Sequence, residues 1–201
     1  PMSEASNGWR LFTYGRIVSL TRQALINDDL SAFSGLLSEF GQAASRREAD
    51  ELVAMLTGTP LVDGTALFHA DRSSLITGAG SALQASSLAT AVKSLRLQKE
   101  VGGGFFIQEP AFLVVPAALE NTARQLVATI TPNTTTSVQP YNLAVLVEPR
   151  LDSVSATAWY LVAGNQKALE YGYLDGADGP QTFQEEGFDI DALHVKCRLD
   201  F

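Results

Sequence analysis

The sequence predicts a mixed α+β fold organised around one long helix. Three observations carry that expectation. A stretch from Asn27 to Pro60 repeats apolar residues at three- and four-residue spacing, the mark of one buried helix face. The C-terminal run alternates strictly, with Leu193, Val195, Cys197 and Leu199 against His194, Lys196, Arg198 and Asp200, the mark of a strand. Between them, short apolar runs and helical patterns follow one another without the regular βαβ alternation of a parallel α/β fold, which favours α+β.

The helix has marked ends. Asn27, Asp28 and Asp29 offer N-cap side chains, and Gly58 stands at a C-cap position with Pro60 beyond it. Its stripe comprises Phe33, Leu36, Leu37, Phe40, Ala43 and Ala44, then, after a charged turn from Arg46 to Glu51, Leu52, Val53 and Leu56. Uninterrupted from Leu30 to Thr57, it is roughly 42 Å long at about 1.5 Å per residue, a spine on which other elements lean. Gly35 and Gly41 each cost about 1 kcal/mol against alanine in a helix interior, so a bend or a close packing contact is expected beside them.

In chain order, Gly8 to Leu20 reads as a strand rich in aromatic and β-branched residues. Trp9, Phe12 and Tyr14 on an unpaired strand would invite aggregation, so a partner is expected, placed N-terminal to Pro1. The chain opens in mid-pattern, which suggests a piece of a longer polypeptide. Thr21 to Ile26 suits a helical turn, and Thr59 to Gly80 is a long connector containing ALFHAD at Ala66 to Asp71. Ser86 or Ser87 can cap a helix whose face carries Leu88, Ala91, Val92 and Leu95, stopped by Gly102-Gly103-Gly104. Phe105 to Ile107 and Ala111 to Val115 read as short, fully buried strands. Pro116 opens a further helix through Leu119, Ala123, Leu126, Val127 and Ile130. Thr131 to Asn142 is a polar loop, and strands are expected at Leu143–Val147, Thr157–Val162 and Leu169–Leu174. The chain thus leaves one part, builds a second from the middle region, and returns.

Composition removes several function classes. The 201 residues are 46% hydrophobic and 18% charged, enough for one large or two small globular domains. The low charged fraction leaves wide neutral surface, which suits subunit contacts. Net charge is −8 and no basic cluster exceeds Arg46-Arg47, which argues against nucleic-acid binding by phosphate neutralisation. The single cysteine, Cys197, excludes an internal disulfide and a cysteine-based zinc site. No apolar run approaches the ~20 residues of a membrane-spanning helix.

Candidate chemistry is sparse. His69 and Asp71 form an H-x-D that could ligate a metal or serve acid–base catalysis, the basis of an alternative reading as a metal-dependent hydrolase. The competing reading is a hydrogen-bonded histidine fixing the connector. Gly102-Gly103-Gly104 follows a helix and precedes a strand, the reverse of a phosphate loop. Ser73-Ser74 lack a nucleophile elbow, and neither Asp175–Asp178 nor Asp189–Asp191 matches a calcium loop. Trp9, Tyr14, Trp159 and Tyr160 read as core or interface residues. No nucleophile, base and orienting group come together, so no catalytic residue, cofactor or metal is assigned.

The run VSLTRQALINDDLSAF from Val18 to Phe33, leading through Glu48-Ala49-Asp50 to Leu56-Thr57-Gly58, resembles tailed-phage major capsid proteins of the Hong Kong 97 fold. The run TALFHADRSSLITG from Thr65 to Gly78 is similar to one in Mu-like prophage head subunits and in fusions of a prohead protease with a capsid protein. Those often carry a second histidine where this chain has Arg72. Further likeness lies in FLVVPAALENTARQL, VEPRLDSVSATAWYL and the closing GPQTFQEEGFDIDALHVKCRLDF. The resemblance implies a subunit of an icosahedral shell that encloses packaged DNA, assembled from hexamers and pentamers in the bacterial cytoplasm, with a scaffold or protease as a possible assembly partner. It implies a peripheral domain of residues 21–80 and 171–201 with the spine at 30–57, and an axial domain of residues 81–170. Residues 1–20 would hold the returning half of an extended loop that reaches a neighbouring subunit, which makes Trp9, Arg10, Phe12, Tyr14 and Arg16 the candidate subunit-interface residues. Another virion component, such as a tail or decoration protein, is the remaining structural alternative.

Overall fold

A computed structural model describes residues 11–27, 31–58, 64–99, 103–128, 141–166, 169–187 and 191–201. Among them the element order is β1 (Thr13–Thr21), α1 (Arg22–Asn27), α2 (Ser31–Thr57), α3 (Ala85–Arg96), β2 (Pro110–Val115), α4 (Glu120–Val127), β3 (Ala144–Val147), α5 (Leu151–Val154), β4 (Tyr160–Ala163), β5 (Gln181–Gly187) and β6 (Ala192–Asp200). Single 3-10 turns lie at Ala70–Arg72 and Ala117–Leu119. The mixture of helices with mostly antiparallel strands is α+β, as the patterning predicts. The chain divides into two compact units, one of Leu52–Leu169 and one of Gly8–Glu51 with Glu170–Phe201. The division at Glu51 falls inside α2, so both units draw on that helix, whereas the resemblance implies a boundary after residue 80.

The spine forms as one unbroken helix of 27 residues, about 40 Å long. It ends at Gly58, whose φ of +133° is open to glycine and strained for any side chain. Thr57 Oγ1 turns back to the carbonyl of Val53 at 2.8 Å. Phe40 and Ala44 are buried, as the stripe predicts, but Ala43 is exposed. Gly35 and Gly41 are exposed as well, and a Cβ built on either meets nothing within 4 Å. The close contact expected beside the glycines is therefore absent among the described residues. Asn27 closes α1 instead of capping α2, and Asp28 and Asp29 lie outside the described residues.

In the unit of Gly8–Glu51 and Glu170–Phe201, three antiparallel strands pair in the order β1-β6-β5. Along one edge β1 pairs with β6, in register from Thr13↔Asp200 to Thr21↔Ala192, a pairing the sequence pattern did not announce. Val195 and Cys197 pack with Phe40 of α2, joined by Val18 and Leu193. Burial raises the pKa of the Cys197 thiol, so it stays protonated and acts as a small hydrophobe. Asp200, expected on the polar face, is buried, with Arg198 Nε 2.8 Å from its carboxylate. Strand β5 had no apolar alternation to announce it: its sequence QTFQEEG is exposed over most of its length. Leu169–Leu174 forms no strand, although Leu174 N reaches Asp200 O at 3.3 Å, beyond the end of the β5–β6 pairing at Arg198.

In the Leu52–Leu169 unit, β2 lies between β3, which is parallel to it, and β4, which is antiparallel. One face of this sheet meets α3 and α4 through a core of Leu83, Leu88, Leu113, Val115, Ala123 and Leu143. Helix α3 is capped by Gln84, with Ser87 at its third position completing a reciprocal capping box, not by Ser86 or Ser87 as N-cap. It stops at Arg96, before the glycines, with the Leu97 N–H shared between the Lys93 and Ser94 carbonyls. Phe105–Ile107 is no buried strand: Phe105 makes one isolated bridge to Lys99, and Phe105 and Ile107 are 63% and 77% exposed. Pro116 precedes a 3-10 turn that leads into α4, and Ile130 lies outside the described residues. So does the polar loop up to residue 140. Strand β4 begins at Tyr160, three residues later than expected, after the Ser155–Thr157 turn.

Candidate subunit-contact surface

The only sequence-derived hint of catalysis, His69, lies at the N-terminus of the 3-10 turn Ala70–Arg72. Its Nδ1 is 3.3 Å from both Asp71 N and Asp71 Oδ2. The neutral ring accepts from the amide; the protonated ring pairs with the carboxylate. Its backbone N–H donates to Ser74 Oγ, which in turn donates to Leu67 O at 3.0 Å. This is a closed turn in which the imidazole caps backbone. A metal site asks for three or four ligands, and no group of three His, Cys, Asp or Glu stands together among the described residues.

The other imidazole, His194, sits mid-sheet with Ser19 Oγ 2.7 Å from its Nδ1. Register places Ser19, His194 and Glu185 in one row across β1, β6 and β5. In a hydrolytic triad the serine faces Nε2 and the acid holds Nδ1. Here the serine occupies Nδ1, so the row lacks that geometry.

Of the five candidate interface residues, Trp9 and Arg10 lie outside the described residues. Phe12 is exposed, and its backbone exchanges hydrogen bonds with Phe201, N to O at 2.9 Å and back at 3.1 Å. Arg16 is exposed on β1. Tyr14 is turned inward: its hydroxyl donates to Glu51 Oε1 at 3.0 Å, Arg47 lies 4.4 Å above its ring, and Phe201 packs at 5.5 Å. Arg47 also bonds Glu51, one helical turn away. The guanidinium pKa is raised, first by the hydrogen bond with Tyr14 and, against desolvation, by Glu51.

Beside this, Tyr173 donates to Glu48 Oε1 at 2.8 Å. Glu48 and Glu51 are three residues apart, hence on one face of α2. Two tyrosines from segments far apart in sequence thus clasp the spine through adjacent carboxylates. The bond to Glu48 pushes the Tyr173 pKa well above its ordinary value, helped by partial desolvation. Sequence patterning missed this clasp because the four residues fall in three separate stretches, and only the acidic turn on α2 was visible.

The described residues thus form two three-stranded sheets, one long helix and a surface with exposed apolar side chains. The profile of the family described as Phage capsid protein matches residues 5–201, and the chain belongs to that family. It is a structural capsid subunit, located in the virion and built into a multi-subunit shell. The hydrolase alternative finds no support. No curated protein and no solved structure matches the chain.

Proposed function

We propose that this chain has the Hong Kong 97 fold and builds hexamers and pentamers of an icosahedral phage shell around packaged DNA, without catalysing any reaction. The observation that carries the reading is α2, a single 27-residue helix to which both compact units contribute, in a chain matched to a capsid family over residues 5–201. On this reading residues 21–80 and 171–201 are the peripheral domain and residues 81–170 the axial domain. Residues 1–20 belong to the extended loop, and of the five candidates Trp9, Arg10, Phe12 and Arg16 are contact residues, while Tyr14 is held within the chain. The run from Thr65 to Gly78 supports kinship with Mu-like heads and protease–capsid fusions. Assembly then takes place in the bacterial cytoplasm with a scaffold or protease as helper. The acidic balance of −8 disfavours tight, salt-sensitive gripping of the enclosed DNA.

Electron microscopy and sedimentation of the purified protein test this. Capsomers or closed shells are expected. Discrete monomers at high concentration would overturn the reading.

A further inference from the structure

The Leu52–Leu169 unit presents two features that the fold does not use. One is a half-open groove of about 440 Å³ between the end of α2, the 73–78 loop, α3 and the 155–161 segment. Leu56, Leu75, Leu95 and Trp159 are among its apolar walls, with serine and threonine hydroxyls between them. Among the described residues its lining contains no Asp, Glu, Lys, Arg or His. The other is the loop 103–107, GGFFI, which lifts Phe105 and Ile107 into solvent. This loop is pinned at its base. Phe106 N donates to Gln98 O at 2.9 Å, and Asn165 Nδ2 donates to Ile107 O at 2.9 Å. Two large apolar side chains are therefore held outward on a fixed backbone, which lowers the ordering cost of burying them in a partner.

The multi-subunit shell supplies the occupant, a second copy of this chain. The chain carries −8, so two copies repel wherever carboxylates meet. The described residues of groove and loop tip are uncharged, and Lys99 Nζ lies 6.0 Å from the Phe105 ring. They match each other in charge and in chemistry, an aromatic and an aliphatic knob against an apolar socket with a hydroxyl rim, as interface cores do. We propose that Phe105 and Ile107 of one copy seat in this groove of a neighbouring copy. The inference rests on the shell reading above. Repeated around a ring of subunits, this knob-into-socket contact is heterologous.

Cysteine trapping tests it, and the chain suits the method because its one thiol, Cys197, is buried. Full-length Ile107→Cys protein is mixed with full-length Leu75→Cys protein under oxidising conditions in which the wild type assembles. A crosslinked heterodimer is expected, and its absence from assembled material would overturn the contact while leaving the shell reading intact. An Ile107→Asp variant should need at least about tenfold more protein to assemble, since it replaces a buried aliphatic by a charge. Circular dichroism checks its fold, and Ile107→Ser serves if the aspartate variant misfolds. Assembly of both variants at the wild-type concentration would also refute the contact. A wild type that never leaves the monomer would overturn the contact and the shell reading together.

Discussion

Replacing Tyr173 by phenylalanine removes one oxygen and leaves the ring, which meets Tyr171 edge-on at 5.7 Å. The lost interaction is the 2.8 Å hydrogen bond to Glu48 on α2. A hydrogen bond to a charged group is worth about 1.5–3 kcal/mol when sheltered. Tyr173 and Glu48 are only half-buried, and solvent screening brings the expected loss to about 0.5–1 kcal/mol. For a chain of this size that lowers Tm by roughly 1–4 °C. The pH dependence has a definite sign. Because the folded-state pKa of Tyr173 is raised above the unfolded value, of about 10, the bond contributes fully below that value. Its contribution is lost as pH rises further, toward the folded-state pKa. Wild-type stability therefore falls with pH from about 10 upward more steeply than that of Tyr173→Phe. Urea unfolding followed by circular dichroism across this range gives both quantities, and a double-mutant cycle with Glu48→Gln isolates the pair. Strict additivity in the cycle, or equal alkaline slopes for the two proteins, would refute the clasp.

Three further outcomes follow from the geometry. Asp152 on α5 accepts from Ala117 N at 2.7 Å and Ala118 N at 3.1 Å, capping the turn before α4 from a distant part of the chain. Asp152→Ala should cost about 1–2 kcal/mol in chemical denaturation, with unchanged stability refuting the cap. A Cβ on Gly164 would stand 2.7 Å from Ala111 Cβ. Gly164→Ala should thus destabilise by about 1–3 kcal/mol, and a neutral result would show that the β2–β4 edge relaxes freely. Gly41→Ala meets nothing within 4 Å on the exposed side of α2. It should stabilise the unassembled chain by up to about 1 kcal/mol, and a loss in thermal unfolding would mean that the glycine answers to a contact.

The elements legible in the sequence are those whose pattern is set within the element itself. Helix α2 announces itself through period and terminal glycine, and β6 through strict alternation, because each buries one face against a single layer. Elements defined by their partners were illegible. The partner of β1 lies more than 170 residues away in β6, and β5 carries polar residues on both faces because it is an edge strand. Apolar content misled at Phe105–Ile107, where Phe105 makes one isolated bridge to Lys99, and at Leu169–Leu174, where Leu174 N meets Asp200 O without a strand forming. For the contact surface, residue type picked out Tyr14 but not its direction. The Glu51 carboxylate and the Arg47 guanidinium draw it onto the helix, and only three-dimensional proximity reveals that.

The energetics of α2 and of the β3-β2-β4 sheet point the same way. Long helices draw most of their stability from burying a face, yet of the side chains described between Gly35 and Arg47 only Phe40 and Ala44 are buried. A sheet with a parallel pair and apolar residues on both sides calls for cover on both sides. Here α3 and α4 cover the side of Leu113 and Val115, while Phe112 and Leu146 on the other remain partly in water. In a protein that works alone, such surfaces are a liability. On the shell reading proposed above, weak apolar contacts between copies, repeated by symmetry, would complete what the single chain leaves open. The low charged fraction of 18% then has a physical role. It keeps the cost of desolvating these walls small enough for many modest contacts to hold a shell together.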